Sequence, residues 1–388
     1  MSYNYFRRVV ALAFLAITAS CVLISCRNGR PASAPEAGSV DSLTFARGLK
    51  ITHNNELTFV TLRDPWDTLK TRKEYILAPK TLLSRRPGLK DSLSRKGIVI
   101  ATPVENVVIY TSVHAAMAEQ MGLLDRVTGV CEPEYITSSE ILGRIENQQI
   151  ADLGNSASPN VEKIISLNTE AIIASPFENS GYGAAEKLGI PIVEAADYME
   201  NHPLGRTEWV KFYGLLFGCP QVSDSLFNAT KSHYELLCSK SATVTERPSV
   251  ILERKWGQTW AVPASGSYVG QLHRDAGADY VFSEITSSNS VHKSFEEVFD
   301  RGCHAEFWFM KYGSKDPLTY EDLRREYQPY ANFDAYKAHN IYACNTLVTT
   351  YYDDITLHPD LILADLIYIY HPELLPDHEL KYYFPLKD

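Results

Sequence analysis

The sequence predicts an α/β protein of two lobes with mostly parallel sheets, joined by one long linking helix and preceded by a small β-meander. Three observations predict it. Apolar strand-like runs at 107–111, 127–131, 171–175 and 191–195 alternate with helical segments near 114–121, 161–167 and 182–188, the βαβ grammar of a parallel sheet covered on both faces. Residues 221–241 carry Val222, Leu226, Tyr234 and Leu237 at helical spacing with no internal breaker, long enough for a rigid connector. Strand-type runs then return at 249–252, 259–262, 307–310 and 341–344, separated by helical segments near 268–275, 294–300 and 320–326.

The elements follow in order. Residues 1–25 form a bacterial export signal, with Arg7 and Arg8 ahead of an apolar run at 9–24 that is short for a membrane span. The run ends in Leu23-Ile24-Ser25-Cys26, which resembles a lipobox, so Cys26 is expected to become a diacylated N-terminus. Cys21 is the competing acceptor, but Thr18 stands where an aliphatic residue is wanted. Two acyl chains give firm membrane attachment. Residues 26–42, rich in Gly, Pro, Ala and Ser, read as a flexible tether.

Loss of residues 1–25 leaves 35 of the 37 basic residues against all 47 acidic ones, a net charge of −12. Such a balance disfavours nucleic acid as a partner. Cys131, Cys219, Cys238, Cys303 and Cys344 are scattered and lack CxxC spacing, so neither a zinc site nor a dense disulfide framework is signalled.

About 345 residues beyond the tether exceed the usual size of one core. Residues 43–80 alternate polar and apolar positions, with turn signals at Asn54-Asn55 and Asp64-Pro65, and the extension at 43–98 reads as a β-meander packed on the first lobe. The first lobe is placed at 99–218, the linking helix at 219–243 and the second lobe at 244–388. Within the first lobe Asn160 is a natural cap for a short helix with apolar Val161, Ile164, Ile165 and Leu167, followed by the wholly apolar strand 171–174. The chain closes with a helix at 359–370 and an aromatic tail.

This ordered set resembles the helical-backbone (class III) periplasmic substrate-binding proteins of bacterial ABC importers, over roughly residues 100–375. That family carries cobalamin, ferric siderophores, haem and, in a related branch, free metal ions. The resemblance implies a ligand held between two lobes that move little, delivery to an ABC permease dimer in the inner membrane, and no permanent cofactor. It also implies one docking carboxylate on each lobe, facing permease arginines. The Asn-x-Glu helix gives Glu162, and Ser294-Phe295-Glu296-Glu297-Val298 gives Glu296, with Glu297 as the neighbouring alternative. Two separated acids give orientation and association rate more than raw affinity, although an acid in a first helical turn also complements the helix dipole.

Ligand-facing positions in such a fold fall on loops after the carboxyl ends of strands. That rule selects His114, Phe177, Tyr182, Lys255, Trp256, Trp260, Tyr268 and Tyr351. Rings dominate this set, offering rigid contact area for a flat or bulky ligand. Trp256 and Trp260 are equally suited to a core, and Tyr351 and Tyr352 face opposite ways if extended. The Gly-rich segment 264–270 either wraps an anion or only starts a helix. His114 would serve the free-metal branch, but no companion histidines follow the other strands. Tyr182 is an alternative as an axial haem ligand.

The chain lacks GxSxG, HExxH, a P-loop and a GxGxxG after a strand, and His304 beside Cys303 has no readable triad partner. No enzymatic activity is expected. The leading expectation is a monomeric, membrane-anchored, periplasm-facing lipoprotein that captures an iron chelate, haem or cobalamin. The alternatives are a transition-metal receptor of the same fold and a surface capture lipoprotein serving an outer-membrane receptor. Basic Arg27 and Arg30 after the lipid cysteine favour the periplasm-facing form.

Overall fold

The computed structural model describes residues 39–41 and 43–388. The segment expected to be an export signal, and Cys26, lie outside the described residues. Among the described residues no helix is long and apolar enough to cross a membrane.

The N-terminal sheet has five strands in the order Val40–Asp41, Leu49–Asn54, Leu57–Arg63, Thr71–Pro79 and Ile98–Thr102. The first four pair antiparallel, and Ile98–Thr102 joins in parallel, so the sheet runs on past residue 98. Asn55, at φ 53°, turns the chain between the second and third strands, a left-handed conformation that Asn tolerates because its short polar side chain bonds locally. Alternate residues along Leu49–Asn54 are buried. Their apolar face packs with Val210, Phe212, Leu216 and Phe217 in the first-lobe core.

The first lobe carries an all-parallel sheet in the order Ile192–Glu194, Ala171–Ala174, Val107–Ile109, Val127–Val130, Ala151–Asp152. Val107–Ile109 and Ala171–Ala174 are buried at every position, as strands covered on both faces must be. Asn160 accepts a hydrogen bond from the backbone N–H of Lys163 at 3.0 Å and so caps Val161–Ser166. Of the apolar positions read into that short helix, Ile164 is fully buried while Ile165 is exposed.

The linking helix is Pro220–Ser241, 22 residues, and spans about 33 Å at 1.5 Å per residue. Phe227 near its start packs into the first-lobe core, whereas Tyr234 and Leu237 near its end pack into the second. One rod is thereby anchored in both cores. Val222, read as part of its apolar stripe, is exposed instead.

The second lobe repeats the style with the order Asp279–Tyr280, Ser249–Leu252, Phe307–Tyr312, Ile341–Asn345, Phe384–Pro385. Only the last strand is antiparallel. A second, antiparallel sheet of Lys255–Trp256, Thr259–Val262 and Val291–Lys293 lies beside it. Helix Pro359–Tyr370 and the buried Tyr382 and Tyr383 complete the core.

Candidate functional site

A cavity of about 550 Å³ opens between the lobes, within the roughly 300–1,000 Å³ typical of small-ligand sites. Its first wall is the segment after strand Ile192–Glu194, contributing Tyr198, Asn201 and Arg206. The opposite wall follows second-lobe strands: Arg254, Lys255 and Trp256 come after Ser249–Leu252, and Lys311 lies near the end of Phe307–Tyr312. Carboxyl ends of strands therefore face the crevice from both sides, as open α/β sheets favour.

The sequence-selected residues separate into three groups. Trp256 and Tyr268 line the cavity together with Lys255. Trp256 is 84% exposed, whereas the Tyr268 ring is buried and its hydroxyl donates to the Ile355 carbonyl at 3.0 Å. Phe177 is exposed outside the lining, with its ring 6.4 Å from that of the cavity residue Tyr198.

His114, Tyr182, Trp260 and Tyr351 do not line the cavity. His114 is buried, with Nδ1 beside the Thr111 hydroxyl and Nε2 2.8 Å from Asp197 Oδ1. Although burial raises the Asp197 carboxyl pKa, the adjacent imidazole overrides it and holds that carboxyl below its ordinary value. The pair thus steadies the segment that carries Tyr198 and is taken up by the fold. Tyr182 packs against the small cluster around Ile164 and Ala185, its phenol near the Arg72–Glu194 ion pair.

Trp260 is fully buried, stacked on Trp308 at 5.7 Å and donating its indole N–H to the Leu252 carbonyl at 3.0 Å. Tyr351 begins the short helix Tyr351–Asp354 and packs edge-on against Tyr352, Tyr382 and Tyr383. Because that segment is helical, the alternation argument for Tyr351 and Tyr352 does not apply.

The Gly-rich segment starts a helix. Ser267 caps Tyr268–Asp275, and the backbone N–H groups of Ser265, Ser267 and Gly270 bond to Ile285 O, Ala264 O and Ser267 Oγ. A Cβ on Gly266 would come 2.3 Å from the Thr286 carbonyl oxygen, so glycine is required for close backbone approach.

Charged residues that the sequence did not single out define the cavity's character. Arg206 lies 4.0 Å over the Tyr268 ring and donates to the Tyr198 carbonyl at 2.6 Å, while its Nε is buried without a hydrogen-bond partner. Lys255 sits 4.0 Å over the Tyr327 ring. Lys311 pairs with Glu253, and Arg254 with Glu326. Burial opposes the charge on Lys311, but the Glu253 carboxylate prevails and raises the amine above its ordinary pKa. Glu200, the other acid in the lining, accepts backbone and indole N–H bonds. Among the described residues no carboxylate lies within ion-pair distance of Arg206 or Lys255, although the Arg206 charge reaches the buried Asp197 carboxylate. Four basic residues of the lining, Arg206, Arg254, Lys255 and Lys311, face two acids, Glu200 and Glu253, so the walls carry an excess of positive charge. Arg206 had no visible signal in the sequence, whereas Lys311 lies where the strand-end rule points.

Glu162 and Glu296 are exposed in the first turns of their helices. Glu297 differs. Its carboxylate accepts from the Ser294 N–H at 2.8 Å, completing a capping box, and lies 3.3 Å from Lys293 Nζ.

Two α/β lobes, a stiff connecting helix and a cleft between them define a bilobed solute-binding protein. The chain belongs to the periplasmic binding protein family, whose pattern it matches over residues 107–346. It is 25% identical over 306 residues to an uncharacterized lipoprotein of Methanocaldococcus jannaschii, covering 76% of this chain and 72% of that protein. A second uncharacterized lipoprotein of the same organism is 23% identical, with 78% of each chain covered. Among solved structures, nickel-bound CeuE of Helicobacter pylori superposes with a TM-score of 0.56 at 17% identity, over 72% of this chain and 88% of that one. The molybdate-binding protein MolA of Haemophilus influenzae gives 0.56 at 16% identity, over 72% and 90%. A Saccharomonospora viridis protein of an Fe3+-hydroxamate transport system gives 0.52 at 16% identity, over 69% and 92%. These likenesses establish the fold of class III periplasmic binding proteins.

Proposed function

We propose that this protein is the solute-binding lipoprotein of an ABC importer and that its cargo is a negatively charged metal chelate, a ferric siderophore or haem, with cobalamin as the uncharged comparison. The observation that carries the reading is the basic cleft lined by Arg206 and Lys255, neither with a carboxylate at ion-pair distance among the described residues, beside the rings of Trp256 and Tyr268. Aromatic faces suit a flat or bulky organic ligand, and guanidinium or ammonium groups suit its acidic oxygens. A bare metal cation would meet like charge there. A cavity of about 550 Å³ is also larger than a bare oxyanion needs.

Cys26 carries the lipid anchor, the protein faces the periplasm as a monomer, and Glu162 and Glu296 engage an inner-membrane permease dimer. Support for the anchor comes from the lipobox-like sequence and from relatives named as lipoproteins. The test is titration of the full-length protein in detergent with haemin, cyanocobalamin, a ferric tricatecholate and a ferric trihydroxamate, followed by tryptophan fluorescence. Saturable quenching at one equivalent is expected for an anionic member of the panel. Silence from all four would sink the reading.

A further inference from the structure

The N-terminal sheet precedes the residues matched to the family, yet it reaches the cleft. A second cavity of about 500 Å³ is walled by Arg47 from the loop that enters strand Leu49–Asn54 of this sheet, by Arg63 at the end of strand Leu57–Arg63, by His202 from the inter-lobe segment and by Gln271 from the second lobe. It shares Met199, Glu200, Asn201 and Ser288 with the first cavity. The two are therefore adjoining compartments with a common wall.

The arginines hang from backbone that is fixed in place. Both Glu200 oxygens accept the Arg47 N–H at 3.0 Å, and Glu200 Oε1 also accepts the Gly48 N–H at 2.7 Å. The Arg63 N–H in turn donates to the Gly48 carbonyl at 2.9 Å. Next to this joint, Glu208 accepts the N–H groups of Thr44, Phe45 and Ala46. Phe45 packs against both lobe cores.

The acids of the second compartment are already engaged, whereas its guanidiniums are not. Asp64 accepts the N–H groups of Trp66 and Asp67 at 2.9 and 3.1 Å and lies 3.9 Å from Arg72. Glu200 is held by the amides just described. His202 is kept neutral, its pKa lowered chiefly by burial, and its Nδ1 accepts the Leu204 N–H at 3.1 Å, which leaves an Nε2–H donor. Arg47 and Arg63 are exposed and, among the described residues, form no ion pair. Two unpaired forks on a rigid wall match carboxylate or other acidic oxygens.

We propose that the ligand site is bipartite: the body of the cargo lies against Trp256 and Tyr268, and Arg47 and Arg63 of the N-terminal sheet bind an acidic arm of the same molecule. The proposal rests on the cleft being the ligand site. It gives the N-terminal sheet a role in choosing among cargoes by charge and reach.

The experiment compares full-length wild type with Arg47→Ala/Arg63→Ala in detergent, titrating haemin, the anionic ferric tricatecholate and the neutral ferric trihydroxamate. Both side chains are exposed, so the thermal midpoint should stay unchanged. The expected result is about a tenfold weakening for an anionic probe that the wild type binds, with the neutral probe within about twofold, one tenfold step being a single charge-assisted contact. Unchanged affinity for every anionic probe bound, equal weakening of charged and neutral probes, or wild-type binding confined to the neutral probe would each overturn the bipartite site while leaving the solute-binding reading intact. A wild type that binds none of these and is silent to cyanocobalamin as well overturns both.

Discussion

The buried carboxylate of Glu200 is hydrogen-bonded to the backbone N–H of Gly48 at 2.7 Å, 152 residues away in sequence. The same carboxylate accepts the Arg47 N–H and the Trp209 indole N–H at 2.9 Å. One side chain thus fastens the N-terminal sheet to the first lobe at the edge of the cleft. A Cβ on Gly48 would come 3.0 Å from Glu200 Oε1 and 3.2 Å from the Trp209 ring, so the fit is tight.

Glu200→Ala is expected to destabilise the protein by about 2–4 kcal/mol, since bonds to a charged acceptor contribute roughly 1.5–3 kcal/mol each and the abandoned donors are partly buried. Urea unfolding gives the magnitude. Amide hydrogen exchange should show faster exchange at residues 44–48 than in the second lobe. Uniform acceleration throughout the chain would argue that Glu200 supports the whole fold and not this joint.

The two tryptophans of the antiparallel sheet separate packing from binding. Trp260→Ala should cost about 3–5 kcal/mol, the range for emptying a large core site, because the ring is fully buried against Trp308. Trp256→Ala should change stability by no more than about 0.5 kcal/mol, as exposed positions usually do, while removing much of the ligand-induced fluorescence quench. Retention of the full quench in the Trp256 variant would remove Trp256 from the proposed site.

The contrast between these residues explains what could be read in the sequence. Apolar runs such as Ala171–Ala174 announce buried parallel strands because both faces are covered, and Asn160 announces a cap, so the architecture was legible. Of the cavity lining, the strand-end rule selects Lys255, Trp256 and Tyr268 and also points to Lys311. His114 follows a strand as a ligand residue should, but a buried acid 83 residues away takes its Nε2. Periodicity carries no information about such distant partners. Arg206 lies in the helix Pro203–Glu208 with no local pattern to mark it, and Arg47 owes its position to Glu200.

For the docking proposal, adjacent acids on one helix provide the control. Glu297→Ala should cost about 1 kcal/mol, the usual loss for a helix cap, because its carboxylate closes the capping box with Ser294. Glu296→Ala should leave stability unchanged. Glu162→Ala/Glu296→Ala should reduce cellular uptake of the bound chelate about tenfold with its Kd unchanged, since steering acids act on orientation and encounter. Parallel loss of affinity, or loss of uptake in the Glu297 variant alone, would reassign the docking carboxylate.

His273 is buried in the second lobe, its Nδ1 2.7 Å from the Tyr370 hydroxyl, and burial, with a smaller contribution from Lys311, lowers its pKa from 6.5 to about 3. The folded protein therefore holds a neutral imidazole that becomes protonated much more readily once unfolded. Because the folded pKa is depressed, the contribution is fully present above pH 6.5 and is lost as pH falls towards 3. Within that window the unfolding free energy should decline by about 1 kcal/mol per pH unit from this group, near the linkage limit for one proton. Urea midpoints measured from pH 7.5 to 4.5 would show the decline, and His273→Gln, less stable at neutral pH, should flatten it. An equal slope in both proteins would place the acid sensitivity elsewhere.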